Sequence, residues 1–159
     1  QFTLLAHHAP PTWTIALLLE ELGLPYTIIP VGVRGANSAD LDFLGLNSVD
    51  SDMRVPALVD HSNKDLVLVE TGAVVMYLVE RYGQSRAGGT GAGLCPQDEE
   101  GKALTRQWMF FGLTGTYLSP AFAIATHFLY DHPQKLPTAI THTTTLVHRA
   151  LSSLDSALS

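Results

Sequence analysis

At 159 residues the chain holds one ordinary domain, or one small domain with part of another, and its 46% hydrophobic and 15% charged residues exclude a disordered polymer. A net charge of -6, with 9 Lys+Arg against 15 Asp+Glu and no basic cluster, offers no face to a nucleic-acid backbone and no pull toward an anionic membrane surface. The single cysteine, Cys95, permits no intrachain disulfide, no run reaches transmembrane length, and the first residues lack a basic-then-apolar leader pattern, so the expected compartment is the reducing cytoplasm.

Phe2 to Ala6 is a short apolar run that predicts a first strand, closed by the proline-punctuated His7-His8-Ala9-Pro10-Pro11-Thr12. Trp13, Ile15, Ala16, Leu18, Leu19 and Leu22 recur at helical spacing, and Gly23 is a natural C-terminal stop. Pro25 to Val31 is β-branched and predicts a second strand, parallel to the first through that crossover helix. Asn37 to Leu46 is acidic and weakly patterned, a loop with a short helix that leads toward Arg54. Arg54 to Asp60 and Leu66 to Val69 predict two further strands and Ala73 to Tyr82 a helix, giving a βαβ-ββα order over residues 1–84.

The stretch 85–96, rich in Gly with one Arg at its start, reads as a linker, and Cys95 within it is most simply a bystander thiol. From 97 to 159 the pattern is helical. One helix is expected over Lys102 to Phe122, with Leu104, Trp108, Phe111, Leu118 and Phe122 along one side, and another from Pro137 through Leu154. Gly112, Gly115 and Ala121 either let a neighbouring helix approach closely or leave space for a ligand. The seven histidines include no i, i+4 pair and no HExxH, so no metal site is expected.

Two short runs carry the chemistry. In Arg54-Val55-Pro56-Ala57-Leu58-Val59-Asp60, a proline ahead of an apolar run cannot donate to a sheet ladder, so it suits a strand entry, where the Val55-Pro56 bond can be cis with the Val55 backbone facing outward. In Glu70-Thr71-Gly72 the chain turns into a helix, and a helix N-terminus with a hydroxyl beside it binds carboxylates. The bland alternative is a plain strand, turn and capped helix.

Taken together, these runs resemble the glutathione-binding half of the cytosolic glutathione transferases. The resemblance implies a thioredoxin-like N-terminal domain followed by an all-helical domain that is incomplete here, lacking its last helices. It also implies glutathione as co-substrate. In that family the residue before a cis-proline pairs its backbone with the cysteinyl part of glutathione, and an acidic-hydroxyl pair holds the γ-glutamyl end. Asn37, Arg54, Val55, Pro56, Glu70 and Thr71 are the glutathione-binding residues so implied, Asn37 standing where relatives have a contacting His. Dithiol exchange is excluded, because no CxxC opens the first helix.

Within the family the chain is similar to the fungal class related to the yeast nitrogen-regulator prion protein, through Phe2-Thr3-Leu4, Glu21-Leu22-Gly23, Arg54 to His61, Trp108 to Phe111, His127-Phe128 and Gln134-Lys135. It departs from that class at Ala9-Pro10-Pro11-Thr12, where Ala-Pro-Asn-Gly is usual and the Asn lies near the glutathione sulfur. Pro11 offers no donor, which leaves Thr12 or His8 to stabilise the thiolate. Thr12 is favoured, since a hydroxyl donates at any pH near neutrality whereas an imidazolium loses its charge above roughly pH 6.5; the alternative for Thr12 is a simple N-cap. The longer loop before Arg54 adds Asp50 and Asp52 near a site that must accept an anion.

The substrate pocket is expected at Phe111, Gly115 and Tyr117, with Phe110 and Phe122 adding to an apolar wall, and the partner is a small apolar electrophile. The resemblance also implies a homodimer through Ala73 to Tyr82 and Lys102 to Phe122. The leading function is addition or use of glutathione thiolate on that electrophile, as in fungal secondary metabolism. A non-catalytic glutathione-binding regulatory module, and a glutathione-dependent peroxidase or disulfide reductase, are the alternatives.

Overall fold

The structure is a computed structural model that describes residues 1–6, 10–31, 55–83, 94, 96–113 and 118–159. The chain divides into two compact units, Gln1–Gln97 and Asp98–Ser159. Of the linker stretch, residues 85–93 and Cys95 lie outside the described residues, as does the segment from Asn37 to Leu46.

In the first unit, β1 (Phe2–Ala6) runs into α1 (Pro10–Glu21) and β2 (Tyr26–Pro30), then β3 (Ala57–Asp60) and β4 (Leu66–Val69) precede α2 (Thr71–Tyr82). The strands form one sheet in the order β2-β1-β3-β4. β1 pairs parallel with β2 and antiparallel with β3, and β3 pairs antiparallel with β4. This is the βαβ-ββα order of a thioredoxin-like domain. Gly23, at φ 60, ends α1 in the left-handed region that only glycine enters freely.

Alternation along the strands sorts the core. Phe2, Leu4, Ala6 and Leu58 face α1 and α2, which supply Ile15, Leu19 and Leu22 from one side and Val74 and Leu78 from the other. Leu5, Val31, Ala57 and Val59 form the cluster on the other face. Each fully buried Leu, Ile, Val or Phe is worth roughly 1.5–3 kcal/mol, so these two clusters are the main apolar source of the unit's stability.

A carboxylate is buried beside them. Asp60 ends β3 and is fully buried. Its Oδ1 accepts from the Ser62 amide at 2.8 Å and the Ser62 hydroxyl at 2.6 Å, and its Oδ2 accepts from the Tyr77 hydroxyl at 2.5 Å and from the Tyr82 hydroxyl. Burial by itself would push this carboxyl up, but the hydrogen bonds from Ser62, Tyr77 and Tyr82 outweigh it and hold the group down at about 2. Tyr77 is pushed the other way, to about 12, by burial and then by the carboxylate it serves. A 3-10 turn, His61–Asn63, follows, and His61 ties it back to β1 through Thr3 Oγ1 at 2.8 Å.

The second unit holds α3 (Glu99–Leu113), α4 (Ser119–Thr126), a π-helical turn (His127–Asp131) and α5 (Pro137–Leu158). The single helix expected over Lys102 to Phe122 is two helices. Pro120, in the first turn of α4, cannot donate to a preceding helical carbonyl and its ring clashes with one, so the chain starts a new helix there. α4 packs on α5, and the buried residues of the pair are small: Ala121 and Ala125 on one, Thr143 and Ala150 on the other. Ala121 therefore serves helix approach, while a Cβ built at Gly112 would meet nothing within 4 Å. Among the described residues no helix is long and apolar enough to cross a membrane, and no group of three or more His, Cys, Asp or Glu could hold a metal ion.

The depressed Asp60 acidity makes a linkage prediction. A carboxyl lowered from its ordinary 3.8 to about 2 adds stability that is fully present above its unfolded value and is lost as pH falls through about 2. The size is about 2 kcal/mol. Urea unfolding should show Asp60→Asn destabilised by about that amount at neutral pH, with the parent losing its advantage over the variant as the solution is acidified through that window.

Candidate functional site

Sheet register brings three parts of the first unit to one end. Leu5 pairs with Ala57, and Ala57 pairs with Val69, so the exit of β1, the entry of β3 and the exit of β4 lie in one row. The residues just outside that row are the start of α1 beyond β1, Val55 and Pro56 before β3, and Glu70 and Thr71 after β4.

The Val55-Pro56 bond is cis, as expected from the sequence. Pro56 is buried and Val55 half-buried, packed against the Leu5, Val31, Ala57 and Val59 cluster. Proline suits this place because the ladder begins only at Ala57.

Glu70 is the whole connection between β4 and α2. It lies at φ 69, ψ 113, a conformation costly for any residue with a Cβ, and it makes no side-chain cap to the helix it precedes. Its carbonyl accepts from the Val74 amide at 3.0 Å, the first hydrogen bond of α2. Glu70 is exposed and Thr71, the first helical residue, is half-buried. An N-terminal turn with an acidic side chain and a hydroxyl at its mouth can receive both a carboxylate and an ammonium.

Thr12 lies in the first turn of α1, behind Pro10 and Pro11, neither of which has an amide hydrogen. It is 5% exposed, and its hydroxyl is buried with no hydrogen-bond partner among the described residues. A buried hydroxyl left unpaired costs on the order of 1–3 kcal/mol, so this group is either a tolerated defect or a donor whose acceptor is a bound molecule.

His8, Asn37 and Arg54 lie outside the described residues, as do Gly115 and Tyr117 of the expected substrate pocket. Phe111 belongs to the second unit, half-buried on α3, its ring set edge-on to Trp108 at 5.3 Å. The sequence reading passed over the Asp60, Tyr77 and Tyr82 group. Its signal was available: an acidic residue closing an otherwise apolar strand, and two tyrosines five apart on the next helix.

Comparison with known proteins gives this geometry a context. Residues 1–80 match the family described as glutathione S-transferase, N-terminal domain. The transcriptional regulator URE2 of Saccharomyces cerevisiae is 31% identical over 99% of the chain, which spans 42% of that relative's length. A structure of Ure2p in complex with glutathione superposes with a TM-score of 0.81 at 31% identity, over 99% of this chain and 68% of that one. Ure2p5 from Phanerochaete chrysosporium, cocrystallised with 1-(S-glutathionyl)-2,4-dinitrobenzene, superposes with a TM-score of 0.76 at 28% identity, over 98% of this chain and 64% of that one. The chain belongs to the glutathione S-transferase family and is related to its Ure2 proteins.

Proposed function

We propose that the protein binds glutathione in the first unit and uses its thiolate against a small apolar electrophile. The observation that carries this reading is the convergence, at one end of one sheet, of the Val55-Pro56 entry to β3, the N-terminus of α2 with Glu70 and Thr71, and the start of α1 with a buried Thr12 hydroxyl that has no hydrogen-bond partner among the described residues. In this reading Val55 pairs with the cysteinyl backbone. Thr71 and the first amides of α2 take the γ-glutamyl carboxylate, and Glu70 takes its ammonium. The thiol end then points toward the start of α1, where the Thr12 hydroxyl donates to the sulfur and favours its ionised form. Asn37, Arg54 and His8 complete the expected contacts, with Thr12 ahead of His8 as activator. The bound thiol gives its proton to solvent, and the thiolate lone pair forms the new carbon–sulfur bond while either a leaving group departs with its bonding pair or, in an addition, the electrophile's π pair shifts away from the attacked carbon and takes up a proton from solvent.

The apolar side chains of α3, among them Phe110 and Phe111, with Gly115 and Tyr117 beyond, suit an apolar second substrate. A relative crystallised with a glutathione–dinitrobenzene conjugate supports the same class of partner. The second reading, a glutathione-binding regulator with little chemistry, is supported by the regulatory name of the yeast relative and by proline at the position of the class's usual Asn. Retention on immobilised glutathione with no turnover of any electrophile would favour it.

Calorimetry with glutathione tests the binding role. Losing a hydrogen bond to a charged group is worth roughly 1.5–3 kcal/mol, so Glu70→Ala should weaken affinity at least about tenfold. Equal affinity in the variant would remove Glu70 from the site. Thr12→Val has two expected effects of opposite sign. Deleting an unpaired buried hydroxyl with little change of shape should stabilise the free protein by about 1 kcal/mol, while the bound thiol, read by thiolate absorbance, should become harder to ionise. A more stable variant whose bound thiol ionises as before would mark the hydroxyl as a packing defect. The protein is also expected to be a homodimer through α2 and the helices of 102–122, and light scattering at micromolar concentration should give twice the chain mass.

A further inference from the structure

We infer that Asp60, Tyr77 and Tyr82 form a clamp that fixes the angle at which α2 presents its N-terminal turn beside Val55, making these three the positioning residues of the binding site. The binding part of this inference rests on the glutathione reading; the clamp itself does not.

The connectivity is what carries it. β3 has Val55 and Pro56 at its entry and Asp60 at its exit, so one four-residue strand joins the candidate site to the carboxylate. α2 has Glu70 and Thr71 at its start and Tyr77 and Tyr82 farther along, and both tyrosine hydroxyls end on the same Asp60 oxygen. Strand and helix are thus joined twice, through the Ala57–Val69 pairing and Glu70 at one end and through the carboxylate at the other. The apolar contacts of α2, Val74 and Leu78, hold it against the sheet but are non-directional, so they resist lifting better than tilting or rotation. Hydrogen bonds are directional, and those at Asp60 are supported in turn. Asn63 Nδ2 donates to the Tyr77 hydroxyl at 3.1 Å, Arg81 Nε donates to the Tyr82 hydroxyl at 3.2 Å, and the Tyr82 ring stands edge-on to Phe2 of β1 at 5.2 Å.

Leverage sets the scale. From Thr71 to Tyr82 the helix rises about 16 Å, so a tilt of about 4° at the clamp moves the first turn by about 1 Å. A displacement of that size is enough to spoil a hydrogen-bonded site. The other end cannot resist it alone, because the β4-to-α2 connection is one residue held at φ 69.

The test uses Tyr77→Phe, Tyr82→Phe and the double variant, which remove hydroxyls and keep the rings. Hydrogen exchange in the ligand-free protein is the first arm. The amides of Val74 to Met76 should exchange about tenfold faster, beyond whatever factor the loss of global stability measured in urea imposes on Ile15 to Leu19 of α1. Acceleration no greater in α2 than in α1 overturns the clamp, whatever the protein binds. The second arm is glutathione affinity in a cycle with Glu70→Ala. The double tyrosine variant should lose about three- to tenfold with Glu70 present and less than about twofold with Glu70 removed, because both act through the same contact. Equal losses in the two backgrounds overturn the positioning role. A parent that fails to bind glutathione refutes the functional reading and leaves the exchange arm to decide the clamp.

Discussion

A single row of paired residues, Ile29 with Leu5, Leu5 with Ala57 and Ala57 with Val69, sets the end of the sheet on which the site is assembled. Register in a sheet with buried faces is unforgiving, because a slip of one residue turns every side chain to the opposite face. Here both faces of β1 and β3 are buried, so a slip would exchange Leu4 and Leu58 for Leu5 and Val59 and would also move Pro56 into a position that needs an amide hydrogen. The core therefore specifies the relative placement of Val55 and Glu70, although neither belongs to it. The opposite row, Tyr26 with Phe2, Phe2 with Asp60 and Asp60 with Leu66, lies about 10 Å away and carries the buried carboxylate.

Two features of the site end work against stability, and both are where a ligand would have to act. Glu70 holds a backbone conformation that costs on the order of 1–3 kcal/mol, and Thr12 keeps a hydroxyl unpaired in the interior at a similar cost. At the Asp60 end the polar groups are fully used, with both carboxylate oxygens doubly served and the serving hydroxyls themselves supported. The Asp60 end is thus well satisfied in its hydrogen bonds, but backbone strain is not confined to the site end, since Lys64 at φ 57 and Asp65 at φ 55 hold left-handed backbone in the turn that follows Asp60.

The sequence made the elements legible where one periodicity dominated. Phe2 to Ala6, apolar but for Thr3, and Leu66 to Val69 are short runs bounded by polar residues or turn signals, and the bounds read from them are those of β1, buried throughout, and β4, half-buried at the edge of the sheet. The Val55-Pro56 and Glu70-Thr71 pair was legible for another reason, since proline and a helix start have chemical consequences that do not depend on tertiary context. The break between α3 and α4 is hidden in the sequence because the apolar spacing of Leu104, Trp108, Phe111, Leu118 and Phe122 continues across it, and only Pro120, in the first turn of α4, marks it. The Asp60 group was missed because its partners are 2, 17 and 22 residues away, and such a cluster exists only after the sheet and α2 have closed.

That closure bears on how the Pro10-Pro11-Thr12 start can be compatible with chemistry at the sulfur. The class's usual Asn would bring a side-chain amide to the first turn of α1, and Pro11 brings neither side-chain donor nor backbone hydrogen. Two consecutive prolines fix the backbone dihedral φ at the first two helical positions and restrict the residue before each, so the direction in which α1 leaves β1 is narrowly set. Thr12 is then presented by a stiffened turn rather than a flexible one. A neutral hydroxyl is a weaker stabiliser of a thiolate than a charged group, and its usefulness depends on being held in place and shielded from competing water. For the role proposed for Thr12, burial at 5% exposure supplies the shielding and the two prolines supply the stiffness, and among the described residues no other group takes its hydroxyl. Within that proposal, what the departure from the class removes in donor strength it restores, in part, as preorganisation.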